Sequence, residues 1–275
     1  MINFSRSKIN LGLYVTGKRQ DGYHNLESIF LPIEFTDAIE LIPAQKNKLF
    51  LYGKQIPGSA NNNSTLLTLQ LMQKEFSVQP YHIHLLKNIP TGAGLGGGSA
   101  NSAAVINIVN QLDQLNLSIA QRQQLALQIG SDNAFFVDQN PAYVSGRGDE
   151  IQSCKLKLSG YPVVIIIPPV HQSTAAAYKQ VEITETPSHL KTITVKQLVS
   201  GDVLPTNAFQ QPFLNQFPSS TSILIELNKA GAFYSSLSGS GSAFYGLFEK
   251  NKEIPNSLQL FALENGYSYI ETQIL

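Results

Sequence analysis

The chain has 275 residues, and its 19 Lys and Arg residues balance 19 Asp and Glu residues, which argues against a protein that binds nucleic acid through a dominant basic surface. Hydrophobic residues make up 43% of the chain, enough to bury a core in one large domain or two smaller ones, so disorder throughout is excluded. The single cysteine, Cys154, excludes a fold held by intramolecular disulfides, and the longest apolar run, residues 163–167, is too short to span a membrane.

The first ninety residues are predicted to form strands and one helix. Apolar residues at every second position over 9–16 predict a half-buried strand, and Asp21 with Gly22 signals a turn after it. The other predicted elements of this segment are strands at 26–35, 38–42 and 81–86 and a helix at 64–76. The N-terminus shows no signal-peptide pattern, so we expect a cytoplasmic protein.

Residues 90–99 form a glycine loop, in which five of ten residues are glycine, and an amphipathic helix follows at once. Glycine lets a backbone take positive φ and approach a ligand closely, and the first N–H groups of a helix favour anions, most often phosphate. Ser99 and Ser102 would add hydroxyl groups for a metal-bound phosphate. No lysine follows the last glycine, so the loop is not a P-loop, and a tightly packed strand-to-helix connection is the alternative.

The rest of the chain continues the mixture of strands and helices. A second helix is predicted to begin near Ser118, which fits a capping box with Gln121, and to end at Gly130. A change in composition predicts a domain boundary near residue 150. The remaining predicted elements are strands at 143–151, 161–168 and 243–248, a helix from Ser173 or Thr174 towards 181, a helix at 224–230, and loops at 184–192 and 235–242. This mixture in both halves favours an α+β architecture.

The glycine loop resembles the signature phosphate loop of the GHMP kinases over residues 90–104, and residues 237–242 resemble the third motif of that family. The resemblance implies the two-domain α+β GHMP kinase fold, in which a ribosomal protein S5 domain 2-like N-terminal domain precedes a C-terminal GHMP kinase domain. We expect the N-terminal nucleotide-binding domain at 1–150 and the second domain at 151–275. The family also implies an ATP-dependent small-molecule kinase that uses Mg²⁺.

Residues 7–24 indicate a branch of this family. They contain Lys-Ile-Asn-Leu and then Gly-Lys-Arg-Gln-Asp-Gly-Tyr-His, and they resemble the opening of the branch that phosphorylates the 2-hydroxyl of 4-diphosphocytidyl-2-C-methyl-D-erythritol in non-mevalonate isoprenoid precursor biosynthesis. The alternatives are a GHMP kinase of the homoserine or mevalonate type and a non-catalytic nucleotide-binding regulator on the same fold. The Asp-Gly-Tyr-His turn argues against a kinase of the homoserine or mevalonate type. The presence of both Lys8 and Asp132, where the family has its catalytic lysine and aspartate, argues against a non-catalytic regulator. We expect a small-molecule partner, without nucleic acid or membrane.

The resemblance also implies site residues. It assigns catalysis to Lys8 and Asp132, which by residue type alone would be a solvated strand-end lysine and a capping aspartate. In that assignment the aspartate accepts the proton of the substrate hydroxyl, and the lysine offsets charge on the moving phosphoryl group. The predicted ATP-binding residues are Asn63, Lys87, Pro90, Gly92, Gly94, Leu95, Gly96, Gly97, Gly98 and Ser99. The predicted substrate-binding residues are Asn10, Tyr23, His24, Thr174, Tyr178, Gly239, Ser240 and Gly241, with the two tyrosines stacking on the cytosine and the histidine hydrogen-bonding to it.

Overall fold

The computed structural model describes residues 1–275, with the side chains of Ala60 and Ser188 outside the description. Ten strands lie in the described chain: β1 (Ile2–Lys18), β2 (His24–Pro43), β3 (Lys48–Gly53), β4 (Tyr81–Lys87), β5 (Ala142–Ser145), β6 (Glu150–Ser153), β7 (Pro162–Ile167), β8 (Tyr234–Leu237), β9 (Phe244–Leu247) and β10 (Ser268–Gln273). Nine α-helices lie in the same residues: α1 (Ser64–Glu75), α2 (Gly97–Leu112), α3 (Ile119–Leu127), α4 (Phe135–Asp138), α5 (Thr174–Gln180), α6 (Val195–Ser200), α7 (Gln210–Gln216), α8 (Thr221–Lys229) and α9 (Asn256–Glu264). Short 3₁₀ helices are found at Ala60–Asn62, Ser131–Ala134, Ser188–Thr192 and Pro218–Ser220.

The chain divides into two compact units. The first contains Met1–Ser7, Phe35–Thr91 and Gly96–Gln139, and the second contains Lys8–Glu34, Gly92–Leu95 and Asn140–Leu275. Strands β1 and β2 therefore contribute residues to both units. Because the units are not divided by one cut in the sequence, the domain boundary near residue 150 stays a prediction.

The first unit packs helices on a sheet. The C-terminal half of β2 pairs antiparallel with β4, and β3 pairs parallel with the other edge of β4. Alternate residues of these strands, such as Ile39, Leu41, Ile83 and Leu85, are fully buried. Helix α2 carries the apolar stripe that the sequence predicts, and α1 and α3 pack against it. This packing fixes the strand end before the glycine loop and the helix after it.

The second unit is built on a four-stranded antiparallel sheet in the order β10-β7-β9-β8. One of its two central strands, β7, is apolar at every position and buried from Val163 to Ile167, as expected of a strand covered on both faces. The N-terminal half of β2 pairs with β5, and β5 pairs with β6. None of the helices that the structure describes, in either unit, combines the length and hydropathy needed to cross a membrane.

Helix starts follow the caps that the sequence predicts. Ser118 and Gln121 form the complete capping box at the start of α3, and Ser173 caps α5 by accepting a hydrogen bond from the N–H of Ala176 at 3.2 Å. Helix α3 ends at Leu127, three residues before Gly130, because the chain first makes a further turn. The predicted helix at 64–76 is confirmed as α1.

Two predictions about strands were wrong. The strands predicted at 26–35 and 38–42 are one continuous strand, β2, which runs through the polar residues between them because Asp37 is buried there with partners of its own. The strand predicted at 143–151 is instead β5 and β6, because Gly146 and Gly148 take φ values of +67° and +101° and turn the chain back. The loop predicted at 235–242 begins instead as the end of strand β8, which pairs with β9. The sequence analysis also missed β3, α4, α6, α7, α9 and β10.

Candidate functional site

In the first unit, the glycine loop ends in the start of α2. Gly96 takes a left-handed φ of +71° as the N-cap, and Gly97 is the first helical residue. A Cβ on Gly97 would lie 2.7 Å from Nζ of Lys87 and 2.8 Å from Cγ2 of Ile89, so the close packing here requires glycine. The first N–H groups of a helix have no intrahelical partner, so this turn has the chemistry of an anion site.

A buried ion pair fixes the strand end before the loop. Lys87 and Asp37 form this pair, with side chains 2% and 0% exposed. The carboxylate also accepts hydrogen bonds from the N–H groups of Asn88 and Ile89, at 2.7 and 2.8 Å, and from the side chain of Asn101 in α2 at 2.9 Å. Burial lowers the pKa of Lys87, and the charge of Asp37 opposes that effect. Sequence reasoning missed Asp37, because this residue lies between two apolar runs, 26–35 and 38–42, that were predicted to be separate strands.

In the second unit, the two glycine motifs meet backbone to backbone. A Cβ on Gly94 would lie 2.0 Å from the carbonyl oxygen of Ser238, and one on Gly239 would lie 3.1 Å from Cα of Gly94. The hydroxyl of Ser238 donates to the Gly94 carbonyl at 3.0 Å, and the N–H of Ala243 donates to the Ala93 carbonyl at 3.0 Å. Close approach of the two loops therefore depends on the glycines of both motifs.

Lys8 is buried beside these loops, with 3% of its surface exposed. Its ammonium donates to the Gly94 carbonyl at 2.9 Å and to Oδ1 of Asn10, and it lies 4.9 Å from the centre of the Phe30 ring. Asn10 in turn donates to Oγ of Ser28 at 3.0 Å. A buried ammonium is costly unless it is hydrogen-bonded, so these contacts account for its position. This surrounding is unlike that of a solvated strand-end lysine.

The turn between β1 and β2 is held by charged side chains. The guanidinium of Arg19 binds the carboxylate of Asp21 at 3.0 Å, and that carboxylate accepts the N–H of Tyr23 at 3.1 Å. Gly22 has a φ of +85°, which lets the chain reverse there. The pKa of Asp21 lies below its ordinary value: desolvation acts to raise it, but the N–H of Tyr23 and the charge of Arg19 act more strongly together.

Aromatic side chains pack next to His24, which follows this turn. The rings of His24 and Tyr178 are stacked, with centroids 4.8 Å apart and planes inclined by 24°, and the edge of Tyr178 meets Phe209 at 4.9 Å. Tyr23 is 56% exposed. The structure thus brings His24, rather than Tyr23, against Tyr178.

His171 and the first residue of α5 contact the two glycine motifs. The hydroxyl of Thr174, the first residue of α5, lies 3.5 Å from the hydroxyl of Ser240. A Cβ on Gly92 would lie 2.8 Å from Cε1 of His171, so this exposed imidazole covers the first loop. Sequence reasoning missed His171, because a lone histidine in a loop carries no motif.

Asp132 and Asn63 lie in the first unit. Asp132 is half-buried in the short helix Ser131–Ala134, and the next residue, Asn133, is buried. Asn63 caps α1, because its side-chain oxygen accepts the N–H of Thr65 at 3.0 Å. This capping gives Asn63 a structural duty beside its predicted role at the nucleotide.

The predicted site residues therefore form two sets. The first unit contains Asn63, Lys87, Pro90, Gly96, Gly97, Gly98, Ser99 and Asp132. The second unit contains Lys8, Asn10, Tyr23, His24, Gly92, Gly94, Leu95, Thr174, Tyr178, Gly239, Ser240 and Gly241. Within the second set, Lys8, Asn10 and Gly94 are in direct contact.

Two family models match the chain. The model described as GHMP kinases N terminal domain matches residues 63–146, and the model described as GHMP kinases C terminal matches residues 199–264. Together they cover more than half of the chain. The chain belongs to the GHMP kinase family. This GHMP kinase is therefore an ATP-dependent small-molecule kinase, and the predicted family, fold and enzyme class are confirmed.

Curated relatives and solved structures agree with the family. The chain is similar to the 4-diphosphocytidyl-2-C-methyl-D-erythritol kinase of Bacteroides thetaiotaomicron, with 39% identity over 94% of this chain and 95% of the relative. The enzyme of that name from Cytophaga hutchinsonii is 36% identical over 92% of this chain and 94% of the relative. A solved 4-(cytidine 5'-diphospho)-2C-methyl-D-erythritol kinase has a TM-score of 0.83 and 26% identity, covering 100% of this chain and 99% of that chain. A solved homoserine kinase from Cytophaga hutchinsonii shares the fold alone, with a TM-score of 0.71 and 17% identity over 98% of this chain and 94% of that chain.

Proposed function

We propose that this GHMP kinase transfers the γ-phosphoryl group of ATP to the 2-hydroxyl of 4-diphosphocytidyl-2-C-methyl-D-erythritol, a step of non-mevalonate isoprenoid precursor biosynthesis. The observation that carries the proposal is the similarity to curated enzymes of this name, at 36–39% identity over at least 92% of the chain. The stack of His24 on Tyr178 supports it, because it joins the Asp-Gly-Tyr-His turn to a second ring suited to a pyrimidine.

In this proposal the glycine loop holds the phosphates of ATP. The N–H groups of the first turn of α2 bind phosphate oxygens, aided by the positive end of the helix dipole. The tight packing of Gly97 against Lys87 and Ile89 supports this role, because it fixes the helix start before the ligand arrives. Lys87 is paired with Asp37, so its predicted contact with the nucleotide competes with a structural duty.

Phosphoryl transfer also needs a group that accepts the hydroxyl proton and a charge that stabilises the moving phosphoryl group. We assign the first role to Asp132 and the second to Lys8. The burial of Lys8 and its bonds to Gly94 and Asn10 support the assignment, because a fixed charge in a poorly solvated place stabilises the transition state without reorganisation.

We propose that the enzyme uses Mg²⁺, because kinases need a metal ion to neutralise the phosphates of ATP. In the described residues there is no group of three His, Cys, Asp or Glu side chains that could hold a metal ion. Kinases hold Mg²⁺ chiefly through phosphate oxygens and water, with one or two protein ligands. We assign such a ligand role to the hydroxyl of Ser99 at the start of α2. The hydroxyl of Ser102, one turn on, donates to the Gly98 carbonyl at 3.2 Å. When bound, the ion neutralises charge on the β- and γ-phosphates.

The test is a comparison of acceptors. ADP release should be measured with ATP, Mg²⁺ and, in parallel, 4-diphosphocytidyl-2-C-methyl-D-erythritol, homoserine, mevalonate and galactose. We expect turnover with the cytidyl substrate alone, and phosphorus NMR should locate the new phosphate on the 2-hydroxyl. Turnover with homoserine or mevalonate in place of the cytidyl substrate would establish another kinase of this family, and binding of ATP without any turnover would establish a regulator.

A further inference from the structure

The turn between β5 and β6 places one arginine in a fixed direction. The carbonyl of Gly146 accepts the N–H of Leu26, two residues after His24, at 2.7 Å. Gly146 has a φ of +67°, and a Cβ there would lie 2.6 Å from Oδ1 of Asp149. The N–H of Arg147 donates to the same Oδ1 at 2.8 Å. The backbone of this turn is therefore held against the start of β2, next to the turn that carries Tyr23.

The side chain of Arg147 lies over the ring of Tyr23. Its guanidinium carbon is 5.1 Å from the ring centre, and its Nε is 3.5 Å from the carboxylate of Asp149. The backbone of Tyr23 is anchored by the hydrogen bond from its N–H to the carboxylate of Asp21 at 3.1 Å. A planar guanidinium can stack on an aromatic face and is attracted by the partial negative charge of that face, whereas an ammonium cannot stack.

We propose that Arg147 is a positioning residue for the cytosine of the substrate. It covers one face of Tyr23 and holds the ring in the orientation in which the base stacks on it. This inference rests on the proposed function, because the base is the part of the substrate that needs a stacking platform. The role is indirect: Arg147 acts on the base through the ring of Tyr23.

Two ligands separate this role from a contact with phosphate. The Kd of cytidine and the Kd of cytidine 5'-diphosphate should be measured by calorimetry for the parent and for Arg147→Ala. A cation over an exposed ring contributes an effect of about 2- to 5-fold, so we expect both ligands to bind that much more weakly. The KM for ATP should stay unchanged. Arg147→Lys keeps the charge without the planar group, so it should recover only part of the affinity.

A matched control and a double variant complete the test. Lys250 lies 5.2 Å from the ring centre of Tyr161, a similar pair elsewhere in the second unit, and Lys250→Ala should leave both Kd values unchanged. In a Tyr23→Ala background, Arg147→Ala should weaken cytidine binding by less than about 2-fold, because its partner ring is already gone.

The outcomes are distinct. If the effects of Tyr23→Ala and Arg147→Ala on the Kd of cytidine are fully additive, the inference is wrong. It is also wrong if Arg147→Ala weakens the binding of cytidine 5'-diphosphate but not of cytidine, because that result would mean a direct contact with phosphate. If the parent binds both ligands and Arg147→Ala binds them equally well, the inference is wrong and the proposed function is unaffected. A parent that binds neither ligand overturns both. Because Arg147 is about one-third exposed, thermal unfolding should show both variants folded.

Discussion

Lys8 and Lys87 are both buried in the described chain, and each is held by hydrogen-bonding partners. Lys87 forms a buried ion pair with Asp37, and Lys8 donates to the Gly94 carbonyl and to the amide oxygen of Asn10. The pairing of Lys87 holds the strand end before the glycine loop. The hydrogen bonds of Lys8 orient its ammonium group, which suits a residue that meets a negatively charged phosphoryl group. Residue type alone does not distinguish the two.

Asp132→Asn tests the general base. The amide keeps the shape of the carboxylate but cannot take up the proton, and loss of a general base costs about 10²- to 10⁴-fold in kcat. We expect kcat with the cytidyl substrate to fall by that factor, while the KM for ATP changes by no more than a few-fold. The matched control is Asp202→Asn, at an exposed aspartate that accepts a hydrogen bond from Ser200. A kcat close to that of the control would make Asp132 a structural residue.

At the scale of elements, the two glycine motifs, at 90–99 and 237–242, depend on each other through a backbone contact. The backbone of Gly92–Leu95 contacts the loop that contains Ser238 and Gly239, and both loops use left-handed glycines at the contact. Because the contact is between backbones, no side chain can rotate away to make room for a Cβ. The two loops should therefore be ordered together.

Gly94→Ala tests this contact. An alanine in the left-handed conformation lowers the free energy of unfolding by about 1–2 kcal/mol. In addition, the new Cβ would lie 2.0 Å from the Ser238 carbonyl oxygen. The matched control is Gly201→Ala, because Gly201 has a similar φ of +76° with no atom within 4 Å of an added Cβ. We expect Gly94→Ala to lose about 1–3 kcal/mol more stability than the control in urea unfolding, together with most of its activity. Equal losses in the two variants would show that the loops do not need this close approach.

A tyrosine joins β4 to the end of α2. The hydroxyl of Tyr81 donates to the carboxylate of Asp113, the C-cap of α2, at 2.6 Å. Burial and this hydrogen bond raise the pKa of Tyr81 from 10.0 to about 12. Since the folded pKa is raised, the contribution of Tyr81 is fully present below pH 10 and is lost as the pH rises towards 12.

Urea unfolding of the parent and of Tyr81→Phe checks this sign. We expect the parent to be more stable at neutral pH, and we expect the difference to shrink as the pH rises from 10 towards 12. The comparison with the phenylalanine variant removes the effect of other groups that titrate in this range. A difference that is constant with pH would mean that Tyr81 titrates normally.

The elements that the sequence predicts best are those with local signals. The amphipathic stripe of α2, the capping box at Ser118 and the apolar strand β7 all follow from neighbours in the chain. The residues that sequence reasoning missed act over long separations: Asp37 binds groups 51 and 52 residues away, and His171 contacts a loop far earlier in the chain. For Lys8 and Asp132, the family resemblance predicts a role that residue type alone does not predict.

At the scale of the whole molecule, the chain passes between the two compact units several times. Ile2–Ser7 of β1 belongs to the first unit, and the remainder of the strand belongs to the second. Strand β2 is divided in the same way between Glu34 and Phe35. Unfolding either unit would therefore remove the continuation of two long strands from the other.

We expect this continuity to make unfolding cooperative. Calorimetry should show a single transition, with the calorimetric enthalpy equal to the van't Hoff enthalpy, although chains of this length often show intermediates. The control is a fragment of residues 1–150, which keeps Lys8–Glu34 but lacks residues 151–275 of the second unit, including β7 and its neighbours. We expect this fragment to unfold without a sharp transition, because residues 8–34 lose most of their unit. Two resolved transitions in the intact chain would contradict cooperative unfolding. A fragment that melts sharply would show that residues 1–150 fold on their own, as a domain boundary near residue 150 requires.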